Sequence, residues 1–531
     1  MFRRLYIKIL GICTGIIFLL IFTDATLINT RSSRPNIIFI MADDMGYSDL
    51  GAYGGEAETP HLDKMAENGI KLRSFYNNAR CCPTRASLLT GQYPHKVGIG
   101  HMVTLPNAKY EPGSYQGFLD PQYPTIAETL KNAGYATYMS GKWHVGERKE
   151  HWPTKRGFDR YFGLISGASS FFELTPQEKA KRSYALDDQP FQLPDQNYYA
   201  TDAFTDYALS FITDHQEKKK NSPFFLYLAY TAPHFPLHAL EGEIKKYEEV
   251  YTKGWDAVRK NRYERMKKNG LADERYVLSP RPDHIKPWTG DDSTNAWVRK
   301  MAVYSAMTDR MDQNIGRLIN RLKELNLYEN TLIAFLSDNG ACAEVINVKE
   351  LHDPSKSIGE KGSYATIGEQ WANASNTPFR LYKHHTHEGG IVTPFIVQWP
   401  ARIKPKKYFL NDIGHVIDLM PTALELAGVQ CDTLPGRSLS YLWNGKKYSE
   451  RTYCWEHEGN KAIRKGKWKL VKEQKDSQWE LYNMEKDPVE MNDLAQQFPE
   501  KAKELLAEYQ IWEKEMGVRE FKGRPYGMGR E

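Results

Sequence analysis

Four short strand-like runs, each passing straight into a polar cluster, constrain this chain more than any other feature. Ile37-Ile38-Phe39-Ile40 leads to Asp43-Asp44, residues 136–140 lead to Gly141-Lys142, residues 224–230 to Thr231-Ala232-Pro233-His234, and residues 331–336 to Ser337-Asp338-Asn339-Gly340. Short apolar runs bounded in this way suit strands buried on both faces. Helical patterns lie between them, over 60–68 behind Thr59, over 124–133, and over 297–325. In the last of these Met301, Tyr304, Met307, Met311, Ile315, Leu318 and Leu322 recur at helical spacing, a stripe read as core. Residues 70–76 and 394–398 add strands, and 415–427 reads as a further helix. Strands alternating with helices predict an α/β fold with a large, mostly parallel sheet covered by helices on both faces. Ligands in such sheets gather beyond the carboxyl ends of the strands, where the polar clusters fall.

Two regions depart from this pattern. Residues 245–286 are charged and aromatic, and read as a helical insertion on the surface near the substrate entrance. Beyond Pro435-Gly436 short strands are expected over 452–455, 461–464, 468–471 and 479–482, then a helix over 499–516. The expected organisation is a catalytic domain over 34–435, a small antiparallel α+β module over 436–520, and a loose tail over 521–531. Trp455-Glu456-His457-Glu458 is placed on a loop, with a docking role toward the cleft.

At the other end Arg3, Arg4 and Lys8 precede an apolar run over 9–22 that breaks at Thr23-Asp24-Ala25-Thr26. This is a signal-peptide pattern over 1–26, an uncleaved anchor being the alternative. It predicts an exported protein, periplasmic or secreted, with no stable membrane insertion after cleavage. Only five cysteines lie beyond the leader, too few for a dense disulfide framework. A net charge of +5, with no basic tail, zinc-finger spacing or phosphate loop, gives no case for a nucleic-acid partner.

Cys81-Cys82-Pro83-Thr84-Arg85-Ala86-Ser87-Leu88-Leu89-Thr90-Gly91 is the most distinctive stretch. Pro83 suits a first helical position and Gly91 a stop. A helix here would aim free N–H groups and its positive dipole end at whatever lies near Cys81, with Arg85 adding charge: an anion site. Read alone, the cysteines have a second, less favoured reading as a buried or disulfide-bonded structural pair. The carboxylates Asp43, Asp44 and Asp338, with the amide oxygen of Asn339, are donors of the kind that hard divalent cations take. A lone Asp-Asp pair is commonly a solvated turn; two acidic strand ends in one sheet are what favour a metal. Lys142 and His144 in Gly-Lys-Trp-His offer an oxyanion partner and a titrating ring, or, read alone, a surface lysine and a packed histidine.

Cys-x-Pro-(Ser/Thr)-Arg followed by Leu-Thr-Gly resembles the signature of the type I sulfatases, formylglycine-dependent members of the alkaline phosphatase superfamily. Asp43-Asp44, Asp338-Asn339-Gly340, Gly141-Lys142-Trp143-His144, His234 in Thr-Ala-Pro-His-Phe-Pro, and Lys383 with Glu388-Gly389-Gly390 resemble family positions in the same order. Residues 373–390 resemble the arylsulfatase branch. The resemblance implies an alkaline-phosphatase-like fold and hydrolysis of sulfate esters, of aryl compounds and sulfated carbohydrates, to alcohol and inorganic sulfate. It implies that a maturation enzyme oxidises Cys81 to formylglycine before folding, and that Ca²⁺ is held by Asp43, Asp44, Asp338, Asn339 and the modified Cys81. Arg85, Lys142 and Lys383 would neutralise the sulfate oxygens, His234 would protonate the leaving group, and His144 would take a proton from the nucleophile. Cys81 is expected to face the acidic cluster, with Cys82 turned away. The alternatives are a phosphodiesterase or phosphonate monoester hydrolase of the same superfamily, and a non-catalytic sulfated-glycan-binding protein.

Overall fold

The structure is a computed structural model. It describes residues 34–522 apart from 105–108, 110–111, 221, 292–294, 346–349, 447 and 475–477. The expected leader and most of the expected tail lie outside the described residues. Among the described residues no helix is long and apolar enough to cross a membrane.

Ten strands form one sheet: β1 (Asn36–Ala42), β2 (Ile70–Tyr76), β3 (Ala136–Gly141), β4 (Arg160–Leu164), β5 (Tyr184–Leu186), β6 (Gln189–Pro190), β7 (Phe224–Ala229), β8 (Thr331–Ser337), β9 (Val392–Gln398) and β10 (Leu410–His415). Their order is β10-β2-β9-β8-β1-β7-β3-β4-β5-β6. Neighbours are parallel from β8 through β1, β7 and β3 to β4, and β10 is parallel to β2. β9 opposes both of its neighbours, and β5 and β6 fold back at the far edge. The sheet is therefore mixed but mostly parallel, as the alternation of strands and helices implied.

The apolar runs are continuous because alternate side chains feed two cores. Ile38, Ile40, Phe224, Leu226 and Leu228 pack on one face of the sheet. Ile37, Phe39, Met41, Phe225 and Tyr227 pack on the other. With both faces dry there is no position for a polar residue until the strand ends. The helix Asn295–Glu324 lays its methionine stripe into the first core.

Two helices differ from the sequence expectation. The one expected over 415–427 is Leu419–Ala427. His415 instead closes β10, paired with Tyr76, and caps the following turn, its Nδ1 accepting from Ile417 N at 3.2 Å. The 245–286 insertion is helical over Glu248–Tyr251 and Gly254–Lys268 but is no surface appendage. Its Trp255, Val258, Arg259, Arg262 and Met266 are buried. Arg262 Nη1 meets Asp49 Oδ1 at 2.5 Å and Nη2 meets Glu56 Oε1 at 2.6 Å. Arg262→Met is expected to destabilise the chain by about 3–5 kcal/mol, because it leaves buried Asp49 without a counter-charge and Glu56 with Arg265 alone. Thermal and denaturant unfolding of the variant measure this; a loss below about 1 kcal/mol would mean the pair is solvated.

Four antiparallel strands make a second sheet: β11 (Thr452–His457), β12 (Asn460–Lys465), β13 (Trp468–Lys472) and β14 (Glu480–Asn483). The helix Pro499–Glu515 packs Leu505 and Tyr509 onto Cys454, Ile463, Leu470 and Leu481. Trp455 to His457 are strand residues rather than the expected loop, because they pair in register with β12, His457 against Asn460. The small sheet is bonded to the large one. Trp455 Nε1 donates to Asn77 O at 2.8 Å. Buried Lys469 reaches Glu388 and Glu490, each at 2.7 Å, and Tyr76 O–H donates to Glu388 Oε2 at 2.9 Å.

Candidate active site

Strand ends, one helix start and the loop carrying Lys383 bring every expected site residue into one buried cluster. The helix Cys81–Thr90 begins two residues earlier than Pro83 would suggest, with extended Arg80 as its N-cap and left-handed Gly91 (φ 64°) as its stop. Pro83 is its third residue, where the N–H is still unused within the helix. Thr84 Oγ1 accepts from Asn78 N at 2.9 Å, tying the helix to the segment before it. At the end of β3, Gly141 (φ +115°) permits the turn into Lys142, since a Cβ there would lie 1.9 Å from Ala229 O. Asp44 (φ 65°) and His144 (φ 56°) also hold left-handed backbone, a cost of roughly 1–3 kcal/mol each that surrounding bonds must offset. Asp44 N donates to Asp338 Oδ1 at 3.1 Å, and His144 N to Ile165 O at 3.2 Å.

Three cations meet three carboxylates in the cluster. Lys142 Nζ is 2.7 Å from Asp43 Oδ2. Arg85 Nη2 lies 2.8 Å from Asp338 Oδ2 and 3.6 Å from Asp43 Oδ1. Lys383 Nζ is 2.8 Å from Asp44 Oδ1, and His234 Nε2 is 3.4 Å from Asp44 Oδ2. Asn339 Nδ2 donates to Asp44 Oδ1 at 2.6 Å. The other nitrogen of His234, Nδ1, donates to Phe235 O at 2.6 Å.

Cys81 Sγ sits 3.4 Å from His144 Nδ1. A hydrogen bond with the Cys82 thiol, joined by the charge of Lys142 and the nearby His144, outweighs burial and holds the Cys81 thiol well below its ordinary range. Cys82 stays close to Cys81. The two thiols and a His144 nitrogen lie within 4.8 Å of one another, because consecutive residues of the first helical turn share its mouth. Cys82 Sγ also reaches Met102 Sδ at 3.8 Å. None of the five described cysteines is in a disulfide.

Burial dominates the other titrating groups. It pushes His144 and His234 down to about 4. Burial, then the charge of Asp43, pushes Asp338 up to about 8. Burial raises Asp43 as well, whereas Lys383 and His234 overcome it at Asp44 and hold that carboxyl low.

The donor set fits a hard divalent cation. Asp43 Oδ1 and Asn339 Oδ1 are buried with no hydrogen-bond partner, beside the carboxylates of Asp44 and Asp338. Oxygen-only donors with irregular placement suit calcium.

The sulfatase family's sequence profile matches residues 35–429, and a second profile, described as N-sulphoglucosamine sulphohydrolase, C-terminal, matches residues 379–514. The chain belongs to the sulfatase family. This sulfatase is 33% identical to an uncharacterized sulfatase of Schizosaccharomyces pombe, the match covering 92% of this chain and 95% of that one. It is 35% identical to an arylsulfatase of Klebsiella aerogenes over 77% of this chain and 89% of that one. Among solved structures it is similar to Ps i-CgsB in complex with k-i-k-neocarrahexaose, with a TM-score of 0.69 and 26% identity, covering 92% of this chain and 95% of that one. The sulfatase is accordingly a type I enzyme of alkaline-phosphatase-like fold, a sulfuric ester hydrolase.

Sequence reasoning anticipated only part of a group beside this cluster: it set His457 and Glu458 toward the cleft and missed Arg80, Glu344 and His384. Arg80 Nη1 meets Glu344 Oε1 at 2.5 Å, and His384 touches both, with His457 and Glu458 behind it. The only signals were adjacency, Arg80 to Cys81 and His384 to Lys383, and the polar tetrad at 455–458.

Proposed function

We propose that this sulfatase removes sulfate from sulfated carbohydrates, and from aryl sulfates as simpler substrates, at the cluster around Cys81. The observation that carries this reading is the placement of Cys81 at a helix N-terminus, facing His144, with Arg85, Lys142 and Lys383 all ending on the carboxylates around it. Cys81 is read as the precursor of formylglycine, its Sγ standing in for an aldehyde oxygen. The hydrated aldehyde supplies a nucleophile with a second hydroxyl, so the enzyme can regenerate without hydrolysing an ordinary ester. Asp43, Asp44, Asp338, Asn339 and residue 81 would hold Ca²⁺, which supplies Lewis acidity toward a sulfate oxygen.

The protein's own groups then have distinct tasks. Arg85, Lys142 and Lys383 neutralise charge on the sulfate oxygens. The helix N–H groups at residues 81 and 82 favour the same anion. His144, neutral because it is buried, can accept a proton at Nδ1 from the oxygen at position 81. His234 has Nδ1 committed to Phe235 O, which leaves Nε2 for the leaving oxygen. Bound sulfate would raise the affinity of His234 for a proton, so that it is charged when it must donate.

A carbohydrate substrate is supported by the similarity to Ps i-CgsB, whose structure holds a neocarrahexaose. The basic and then apolar start of the chain supports export, and Cys81 implies a maturation enzyme as partner. Purified, matured protein is expected to turn over an aryl sulfate at least about 100-fold faster (by kcat/KM) than the matching aryl phosphodiester, a difference near 3 kcal/mol in barrier. It is also expected to release sulfate from at least one member of a sulfated-oligosaccharide panel read by mass spectrometry. A preference for the phosphodiester would replace this reading with the phosphodiesterase one. Tight glycan binding by matured protein without sulfate release would leave only a binding role.

A further inference from the structure

The group next to the catalytic cluster has features that the sulfatase reaction does not use. His384 follows Lys383 on its loop, His457 ends β11, Glu458 begins the turn to β12, and Glu344 follows β8 by a few residues. All four are buried, at 7%, 0%, 3% and 5% exposure. Neither ring nitrogen of His457 has a hydrogen-bond partner. An imidazole buried with two unmet nitrogens is costly, and in a native protein it calls for a water or an ion. Glu458 Oε2 lies 3.1 Å from His384 Nδ1 and yet makes no hydrogen bond. One donor atom from each of His384, His457 and Glu458 lies within 4.8 Å of the others. Ligands about 2.0–2.2 Å from a tetrahedral ion stand roughly 3.3 Å apart, so small side-chain rotations suffice to close the set.

The surroundings of His384 fit the same reading. Its Nε2 contacts Glu344 Oε1, and Arg80 in turn holds Glu344. A carboxylate on the far nitrogen is what fixes the tautomer of a metal-bound imidazole. With the proton on Nε2 toward Glu344, Nδ1 would keep its lone pair toward Glu458. Arg80 Nη1 touches both ring nitrogens of His384, 2.9 Å from Nδ1, and has to turn toward Glu344 for Nδ1 to meet an ion. His101 Nδ1 lies 3.9 Å from Glu458 Oε1, at the edge of this group.

We propose that His384, His457 and Glu458 form a zinc site that joins the small sheet to the loop carrying Lys383. Two imidazoles and a carboxylate suit Zn²⁺, whereas the all-oxygen set at Asp43 suits a harder ion. The site clamps two parts of the chain that lie far apart in sequence, and its role is structural.

The test uses the full chain equilibrated with zinc alone and then desalted. Metal content is read by mass spectrometry, and affinity by competition with a chromogenic chelator. One zinc per chain is expected to remain. His457→Ala and Glu458→Gln should each weaken it by more than about 100-fold, and Glu344→Gln by about 10–100-fold, the usual range for an outer partner. Asp338→Asn should keep it. Circular dichroism checks that each variant folds; if His457→Ala does not, Glu458→Gln and the tetrahedral absorption of the cobalt-loaded wild type decide. Because the readout is bound metal, its failure is distinct from failure of the Cys81 chemistry. The proposal is overturned if wild type retains no zinc, if Glu458→Gln holds it as tightly as wild type, or if Asp338→Asn loses it while His457→Ala keeps it.

Discussion

Cys81→Ala is expected to lower turnover of any sulfate ester by about 10⁴-fold or more, the scale seen when a residue of a covalent catalytic unit is removed. The fold should survive, because the change removes one small sulfur from the mouth of a helix. About 1 kcal/mol of buried area is at stake, against the extensive packing around it. Cys81→Ser should fail almost as badly, since a sulfated serine has no second hydroxyl from which to release sulfate. Peptide mass spectrometry of active wild-type protein is expected to find residue 81 as the aldehyde. Full turnover by protein carrying only the unmodified thiol would end the mechanism, because no other residue of the cluster can serve as a regenerating nucleophile. Retained activity in Cys81→Ala would move the chemistry elsewhere altogether.

Removing the divalent ion should have the second-largest effect. Three carboxylates, Asp43, Asp44 and Asp338, crowd a buried space with two unmet oxygens, Asp43 Oδ1 and Asn339 Oδ1. Without an ion, burial and mutual repulsion already drive the Asp338 carboxyl up to about 8. A calcium-specific chelator is expected to abolish turnover and to lower the unfolding midpoint by several degrees. Readdition of Ca²⁺ should restore both. An ion present at about 100 times its dissociation constant stabilises the folded state by about 2.7 kcal/mol. Asn339→Ala and Asp43→Ala should remove the calcium-dependent shift in midpoint. If both variants keep it, the ion binds at another place; if chelated protein turns over at the full rate, the ion has no catalytic part.

The residues of the proposed site were legible because they sit at breaks in pattern. A strand buried on both faces cannot hold Asp43 or Asp338 in its middle, so its polar end stands out from the apolar run. The helix at Cys81 was legible from Pro83 and Gly91, although its first turn was not, since Arg80 gives no capping signal and takes the N-cap by backbone conformation alone. Other features had no local signature. The helix Ala200–Lys218 was not anticipated, because its buried residues, among them Thr201, Thr205 and His215, mix polar with apolar and blur the stripe. Nothing near residues 392–398 tells that β9 runs against its neighbours, which depends on where the chain re-enters the sheet. The polar contacts of Lys469 with Glu388 and Glu490, or of Arg80 with Glu344 and His384, join residues tens to hundreds of positions apart. Each looks like a surface charge until the fold buries it.

The depth of Cys81 also sets an order of events in time. The residue is 2% exposed, and what closes over it is made late. Asp338, Lys383 and the strand bearing Trp455, which bonds to Asn77, all follow it by hundreds of residues. At roughly 5–20 residues per second, synthesis of the intervening chain takes on the order of tens of seconds. Throughout that interval the Cys81 segment has no finished wall to hide behind. The maturation enzyme proposed for Cys81 would therefore be in a race against the C-terminal part of the same polypeptide. Slower translation or delayed docking of the small sheet would raise the fraction matured, and faster folding would trap the thiol inside a well-packed but inert protein.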